Sequence, residues 1–412
     1  MSLEQRAAAL FGAVQANDFD AAIATFDDNL GKALTARKFK EVWQQAERQH
    51  GAFLGYEAPV REPKTKPDTV LVGLNFERGK MVARVVFRPD QRIGGLAFEQ
   101  AWTAPAYADP RRFAERDLVV GAPGWQLPAT LTVPKSAQGV PAVLLVHGSG
   151  PKDRDETIGP NKTFKDLAWG LASRGIAVLR YDKRTLAHRS KLEPVPDDFT
   201  VDAEIIADAL TALKALGQEP EVAEDQVYVL GHGLGGQLAP RIAQRAPECK
   251  GLIILAGSAR TMHEKIREQA DYLASLSTAP SPAQKAHLEF MRAEAKRLES
   301  LYSSGGSDAG MILGTPRGYW LDLRDYDGPA QAAELEKPVL VLQGGRDYQV
   351  TDRDFELWQK ALGSQAQANL IRFEALDHLF MRGEGKSQPS DYQRPGHVDA
   401  EVLDTIARFI QP

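Results

Sequence analysis

From about residue 117 onward, short apolar runs alternate with segments in which apolar residues recur at helical spacing. Two of the runs, Ala142–Val146 and Leu252–Ala256, contain no polar residue. A strand that is apolar throughout must be covered on both faces, and this is the situation of parallel strands in α/β sheets. The alternation therefore predicts an α/β fold with a doubly wound, mostly parallel sheet. In such a sheet the ligand site lies beyond the carboxyl ends of the strands.

The order of the predicted elements locates an insertion in this sheet. The predicted strands are 117–121, 126–134, 141–147, 176–181, 226–231, 251–256, 338–343 and 368–374. The predicted helices are 161–174, 199–216, 234–246, 352–362 and 397–410. The segment between strands 251–256 and 338–343 has about eighty residues, far more than an ordinary crossover needs. We expect it to form a helical cap over the site, at about residues 260–330.

The first hundred residues have a different pattern. Helical spacing of apolar residues is followed over 52–99 by strand-like segments, which predicts a small α+β domain at 1–100 and a larger domain at 101–412. The apolar residues that recur at helical spacing are Ala7, Leu10, Phe11, Val14, Phe19, Ile23, Phe26, Phe39, Val42 and Trp43.

Composition excludes several kinds of protein. The chain has 50 lysines and arginines against 55 aspartates and glutamates, so it offers no general basic face for nucleic acid. Its apolar runs are too short to span a membrane, and the lone Cys249 excludes an internal disulfide or a thiolate metal cluster. The first residues lack the features of a signal peptide, which predicts a cytoplasmic protein, or a periplasmic or secreted one if a signal peptide was removed. The oligomeric state, including a homodimer, is left open.

The sequence Gly231-His-Gly-Leu-Gly-Gly236 lies between a predicted strand and a predicted helix. Strand, sharp turn and helix with small flanking residues are the context of a nucleophile elbow, G-x-S-x-G. Gly231 and Gly235 fit the flanking positions, but position 233 is glycine where serine is expected. The glycines also match the dinucleotide pattern G-x-G-x-x-G. That alternative is disfavoured because the turn follows a late strand and no ribose-binding acid ends the next one.

Three further segments favour the elbow interpretation. His147-Gly-Ser-Gly150 follows strand 141–147, where Ser149 N–H and Leu234 N–H would form an oxyanion hole. Asp347 follows strand 338–343, and His378 follows strand 368–374. The chain order of nucleophile position, acid and histidine at 233, 347 and 378 is the order that this fold requires. The alternatives are a turn capped by Ser149 and an Asx turn at Asp347.

These residues carry a family resemblance. Residues 117–412 resemble bacterial α/β-hydrolase esterases of the dienelactone-hydrolase and S9-peptidase-like superfamily, most clearly at 147–185, at GHGLGG, at 314–327, at LQGGRDYQV and at LDH. Residues 1–99 are similar in length and pattern to an N-terminal domain of unknown function with a cystatin- or NTF2-like shape. The resemblance implies a serine hydrolase with a Ser–Asp–His triad. Asp347 and His378 match that triad, and Gly233 departs from it.

The sequence also gives candidates for the substrate and the cofactor. Arg154, Lys183, Tyr319 and Trp320 are candidate substrate-binding residues, and for Arg154 and Lys183 a structural Asp–Arg or similar ion pair is the competing interpretation. No metal-ligand motif is present, so we expect neither a metal nor another cofactor. The expected partner is a small-molecule ester or acyl compound.

Three hypotheses for function follow. The first is a serine esterase or other acyl hydrolase whose nucleophile is missing, as in an engineered inactive variant. The second is a binding protein that kept the fold without catalysis. The third is a natural non-serine lyase or cyclase in which His378 and Asp347 act as a base. The otherwise complete set of site residues favours the first.

Overall fold

The computed structural model describes residues 1–61, 68–304 and 310–411. The chain divides into two compact units, Met1–Thr103 and Ala104–Pro412. Each unit encloses a hydrophobic core of its own. Within the described residues, no helix is both long enough and apolar enough to cross a membrane.

The first unit packs helices against an antiparallel sheet, as the α+β pattern predicts. Its helices are α1 Leu3–Gln15, α2 Phe19–Ile23, α3 Asp28–Ala33 and α4 Ala36–His50. Its strands are β1 Phe53–Tyr56, β2 Val60–Arg61, β3 Thr69–Phe76, β4 Gly79–Phe87 and β5 Ile93–Gln100. The sheet order is β1-β3-β4-β5, with β2 paired to β3. Phe39 and Trp43 are buried, but Val42 is 45% exposed. Val42 shares the helical apolar spacing but is exposed, because one residue turns the side chain by about 100° around the helix, away from the face of Trp43.

The second unit contains the α/β sheet. Its strands are β6 Phe113–Val120, β7 Leu127–Pro134, β8 Val140–Val146, β9 Thr157–Ile158, β10 Asn161–Lys162, β11 Ala177–Tyr181, β12 Val222–His232, β13 Gly251–Leu255, β14 Val339–Gly344 and β15 Ala368–Phe373. Its helices are α5 Thr163–Ala172, α6 Arg184–Ala187, α7 Ala207–Gly217, α8 Leu234–Arg245, α9 Met262–Ser275, α10 Pro282–Ser304, α11 Arg317–Arg324, α12 Gly328–Glu334, α13 Asp352–Leu362 and α14 Ala400–Ile410. A π-helical turn, Asp202–Ile206, leads into α7.

The main sheet has the strand order β15-β14-β13-β12-β8-β11-β7-β6. The strands from β15 to β11 pair in parallel, and β7 and β6 are added antiparallel. Alternate residues of β8 belong to different cores: Val143 and Leu145 pack with α5 and α14, whereas Ala142 and Leu144 pack with α7 and α8. Both faces of the sheet are therefore covered, which explains why its central strands are apolar throughout. The predicted doubly wound fold is confirmed.

The segment between β13 and β14 is mainly helical, as expected for a cap. It contains α9, α10, α11 and α12, and the helices α9 and α10 pack against each other. Buried residues of this segment, including Ile266, Leu298 and Trp320, join the core on the α7 and α8 side of the sheet. The inserted helices therefore fold as part of the second unit.

Candidate active site

The turn between β12 and α8 is built by glycine. A Cβ atom on Gly231 would collide with the carbonyl oxygen of Gly235, and one on Gly235 would collide with that of Val146. Gly233 itself has φ +54° and ψ −113°, a conformation that is strained for residues with a side chain. The backbone thus has the sharp turn expected of a nucleophile elbow, and residue 233 lies at its tip.

His378 faces residue 233. Its Nδ1 lies 2.6 Å from Oδ2 of Asp347, whose Oδ1 accepts hydrogen bonds from the backbone N–H groups of Gln349 and Val350. The Asx turn considered from the sequence is therefore present, and the second carboxylate oxygen still binds the histidine. Since Nδ1–H donates to Asp347, Nε2 of His378 is left as an acceptor. A Cβ atom on Gly233 would lie 3.6 Å from this Nε2, so a hydroxyl one bond further out would reach it.

Two residues of the predicted oxyanion hole line the cavity beside residue 233. Ser149 belongs to the oxyanion loop, which we define as His147–Gly150, and Leu234 is the first residue of α8. Both residues line the same cavity as Gly233 and His378. Within the described residues, neither Ser149 N–H nor Leu234 N–H has a hydrogen-bond acceptor. Unpaired N–H groups at a helix N-terminus favour negative charge, as an oxyanion requires.

Two buried side chains, His232 and Glu156, form hydrogen bonds with each other and with the surrounding loops. His232 Nδ1 lies 2.9 Å from Oε2 of Glu156, and its Nε2 lies 2.9 Å from the carbonyl oxygen of His378. The other oxygen of Glu156 accepts the Gly148 N–H at 2.8 Å. Two buried side chains therefore connect the oxyanion loop, the elbow and the loop that carries His378.

The electrostatics of this pair favour the charged forms. Burial alone would raise the pKa of Glu156, but the charge of His232 and the hydrogen bonds outweigh it and lower that pKa to about 2. Burial likewise opposes protonation of His232, and the neighbouring carboxylate of Glu156 outweighs it, so the pKa of His232 is raised. Sequence reasoning assigned His232 only to the variable position of the elbow and gave Glu156 no role.

A cavity of about 700 Å³ lies over Gly233 and His378. The cap and the loops that follow the sheet strands both contribute apolar residues to its wall, and polar groups converge near the elbow. The apolar lining residues from the cap are Met262, Ile266, Phe290, Met291, Leu313, Tyr319 and Trp320. A concave pocket that combines apolar walls with converging polar groups is typical of a small-molecule site.

The four candidate substrate-binding residues divide into two pairs. Tyr319 and Trp320 line the cavity. Arg154 and Lys183 do not. The guanidinium of Arg154 binds Asp182, and Lys183 Nζ lies 2.9 Å from both Glu204 Oε1 and the carbonyl oxygen of Gly148. Both cations are therefore held in internal ion pairs, which was the competing interpretation.

Glu204 connects the cap to the oxyanion loop. It accepts a hydrogen bond of 2.6 Å from the Tyr319 hydroxyl, and its other oxygen pairs with Lys183, which in turn binds Gly148. Burial and the nearby carboxylate raise the pKa of Tyr319, so its hydroxyl remains a donor. No sequence pattern predicted a role for Glu204, because the π-helical turn in which it is buried cannot be recognised from the spacing of apolar residues.

This fold and site define the class of protein. Residues 143–391 match the family model described as "Alpha/beta hydrolase family", and residues 7–96 match the model described as "Protein of unknown function (DUF3887)". The chain belongs to the α/β-hydrolase family and carries at its N-terminal end the domain of unknown function that the sequence resemblance implied.

One curated relative matches nearly the whole chain. Esterase EstD of Thermotoga maritima is 38% identical over 400 residues, which cover 95% of this chain and 92% of that protein. Solved structures that are similar to this chain include a Pyrococcus furiosus esterase. It has 15% sequence identity and a TM-score of 0.46, and the match covers 76% of this chain and 97% of that one. The carboxylesterase EstE1, cloned from a metagenomic library, has 21% identity and a TM-score of 0.46, covering 72% and 88% of the two chains.

Proposed function

We propose that this protein has the site of a carboxylic-ester hydrolase of the Ser–Asp–His type, in which glycine occupies the nucleophile position. The observation that carries the proposal is the geometry at residue 233. A Cβ atom there would lie 3.6 Å from Nε2 of His378, whose Nδ1 is held by Asp347. The similarity to a protein named Esterase EstD supports the same reaction class.

In the serine form each group has one role. The hydroxyl oxygen attacks the ester carbonyl carbon while His378 Nε2 takes its proton, and Asp347 stabilises the imidazolium that forms. The N–H groups of Ser149 and Leu234 bind the oxyanion. His378 then gives the proton to the leaving alcohol, and a water molecule, activated by the same imidazole, releases the acid.

Without the hydroxyl, the chain keeps the groups that bind an ester and loses the atom that attacks it. Removal of a triad nucleophile costs on the order of a millionfold in turnover. We infer that the chain with Gly233 binds intact esters, as expected of an esterase disabled at one position. The completeness of the remaining site favours this over a base-catalysed lyase.

The test is to introduce the hydroxyl. For Gly233→Ser we expect kcat/KM on p-nitrophenyl acetate and butyrate to rise by at least about a thousandfold over the Gly233 chain, given the size of the nucleophile's contribution. The matched controls are Gly233→Ala, which adds only Cβ, and the double variant Gly233→Ser with His378→Ala, which has the hydroxyl without its base. Equal, background rates in the folded Gly233→Ser variant and both controls would refute the proposal.

A further inference from the structure

One charged side chain of the cap faces the cavity. On helix α9 the residues Met262, Lys265, Ile266 and Gln269 line the cavity, and their spacing of three, four and seven residues places them on one face of the helix. Three of the four are uncharged. Lys265 therefore brings a cation into the wall that encloses the space above Gly233.

The ammonium of Lys265 is unpaired among the residues that the structure describes. Within the described residues, no carboxylate or carbonyl oxygen lies within hydrogen-bonding or ion-pair distance of its Nζ. The carboxylates that act on it electrostatically, Asp347 and Asp354, are engaged elsewhere. Asp347 binds His378 and two backbone N–H groups, and Asp354 binds Arg260 and three backbone N–H groups. Burial lowers the pKa of Lys265, which is the direction expected where the charged form is less well solvated than in water.

The other charged residues that line the cavity are mostly paired, so the unpaired charge of the lining is positive. Of the lining carboxylates, Glu156 pairs with His232, and Glu204 pairs with Lys183, which does not itself line the cavity. Arg189 pairs with Glu193, so these two lining residues cancel. Besides Lys265, the lining cation without a partner in the described part of the chain is Lys152, which follows the oxyanion loop.

From this arrangement we propose that the site selects esters bearing a second, free carboxylate, which binds Lys265 while the intervening hydrocarbon lies against the apolar cap residues. The proposal rests on the proposed function, since it names the substrate class of that site. A carboxylate would supply the charge-assisted hydrogen bonds that Lys265 lacks. Met262, about one turn before Lys265, and the adjacent Ile266 would pack against the chain that joins the two ends. Monoesters of short dicarboxylic acids have this chemistry.

Because Gly233 does not consume an ester, binding can be measured directly on the full chain. The probes are monoethyl adipate and ethyl hexanoate, which have the same carbon chain and differ in the terminal carboxylate. By titration calorimetry at pH 7 we expect monoethyl adipate to bind at least about tenfold more tightly, the effect of one hydrogen bond to a charged group. Lys265→Met should abolish this preference and leave ethyl hexanoate binding within about twofold, while Lys265→Arg should keep it.

The control is Lys285→Met, which removes the same charge from an exposed position on cap helix α10 that does not line the cavity. It should leave both affinities unchanged. Equal binding of the two probes, or a preference that survives Lys265→Met, would overturn the proposal. Loss of the preference in Lys152→Met but not in Lys265→Met would also overturn it. If Gly233→Ser hydrolyses ethyl hexanoate while no preference exists, only the substrate class is wrong. If that variant is inactive and neither probe binds, the proposed function itself fails.

Discussion

At residue 233 the backbone conformation favours glycine, whereas the proposed reaction requires a side chain with a hydroxyl. Its φ of +54° and ψ of −113° favour glycine, yet the surroundings leave room for a side chain, because the nearest atoms to a Cβ would be 3.6 to 3.8 Å away. A side chain there is therefore opposed by backbone strain and not by a collision. Nucleophile elbows accept such strain because the turn exposes the reactive atom. Glycine at this position releases the strain and removes the reactive atom in the same step.

This argument predicts the stability of variants at residue 233. Gly233→Ala should lower the free energy of unfolding by roughly 1 to 3 kcal/mol, and Gly233→Ser by a similar amount, since both add the same Cβ to a sparsely allowed conformation. Urea denaturation with equal m-values would measure the difference.

The control for this comparison is Gly217→Ala, at the end of helix α7. Gly217 has no positive φ, and a Cβ there would meet only ordinary contacts at 3.9 Å, so this variant should be neutral or slightly stabilising. A Gly233→Ala variant that is as stable as Gly217→Ala would show that the turn is not strained and would argue against the elbow.

At the scale of elements, loops that follow different strands depend on shared buried side chains. The oxyanion loop follows β8, the elbow follows β12, and the loop of His378 follows β15. Glu156 and His232 bind groups in all three. Removal of one partner from a buried, hydrogen-bonded charge pair leaves the other uncompensated, which is strongly destabilising.

The pH dependence of Glu156 tests this connection. Its pKa is about 2 in the folded chain and near 4.5 when unfolded, so its contribution to stability is complete above about pH 4.5 and is lost as the pH falls toward 2. His232 has a raised pKa, so its contribution is present below its unfolded pKa of about 6.5 and is lost as the pH rises through its folded pKa. Glu156→Gln should therefore be clearly destabilised at pH 6, and its difference from the parent chain should shrink as the pH is lowered to 3.5.

Denaturant melts across that range measure the difference. The matched variant is Glu334→Gln, an exposed residue on α12, which should track the parent chain at every pH. A constant gap for Glu156→Gln between pH 6 and 3.5 would contradict the assignment of a charged Glu156–His232 pair.

The elements themselves were readable from the sequence, because apolar periodicity reports burial directly. Helix α13, for example, was predicted at 352–362 and observed at Asp352–Leu362. The side-chain pairings were not readable. Glu156 and His232 are 76 positions apart, and only the sheet order brings them together. The ion pairs of Arg154 and Lys183 could not be predicted for the same reason, because their partners lie in other segments that only the fold brings close.

At the scale of the whole molecule, the second unit holds every lining residue of the cavity. The loops after the sheet strands carry the proposed reactive groups, and the cap supplies part of the apolar wall together with Lys265. Sequence order predicted the first part, because elbow, acid and histidine each follow an apolar strand. The charge of the cavity could not be predicted, since it depends on which ionic groups are already paired.

The central claim is that residue 233 occupies the nucleophile position of an otherwise complete site. The most direct measurement is the reaction of the Gly233→Ser variant with a fluorophosphonate, followed by mass spectrometry of the peptides. We expect one adduct, on the introduced serine, and none on the Gly233 chain or on the double variant that also carries His378→Ala. A folded Gly233→Ser variant that takes no label at residue 233, or takes it equally without His378, would contradict the claim.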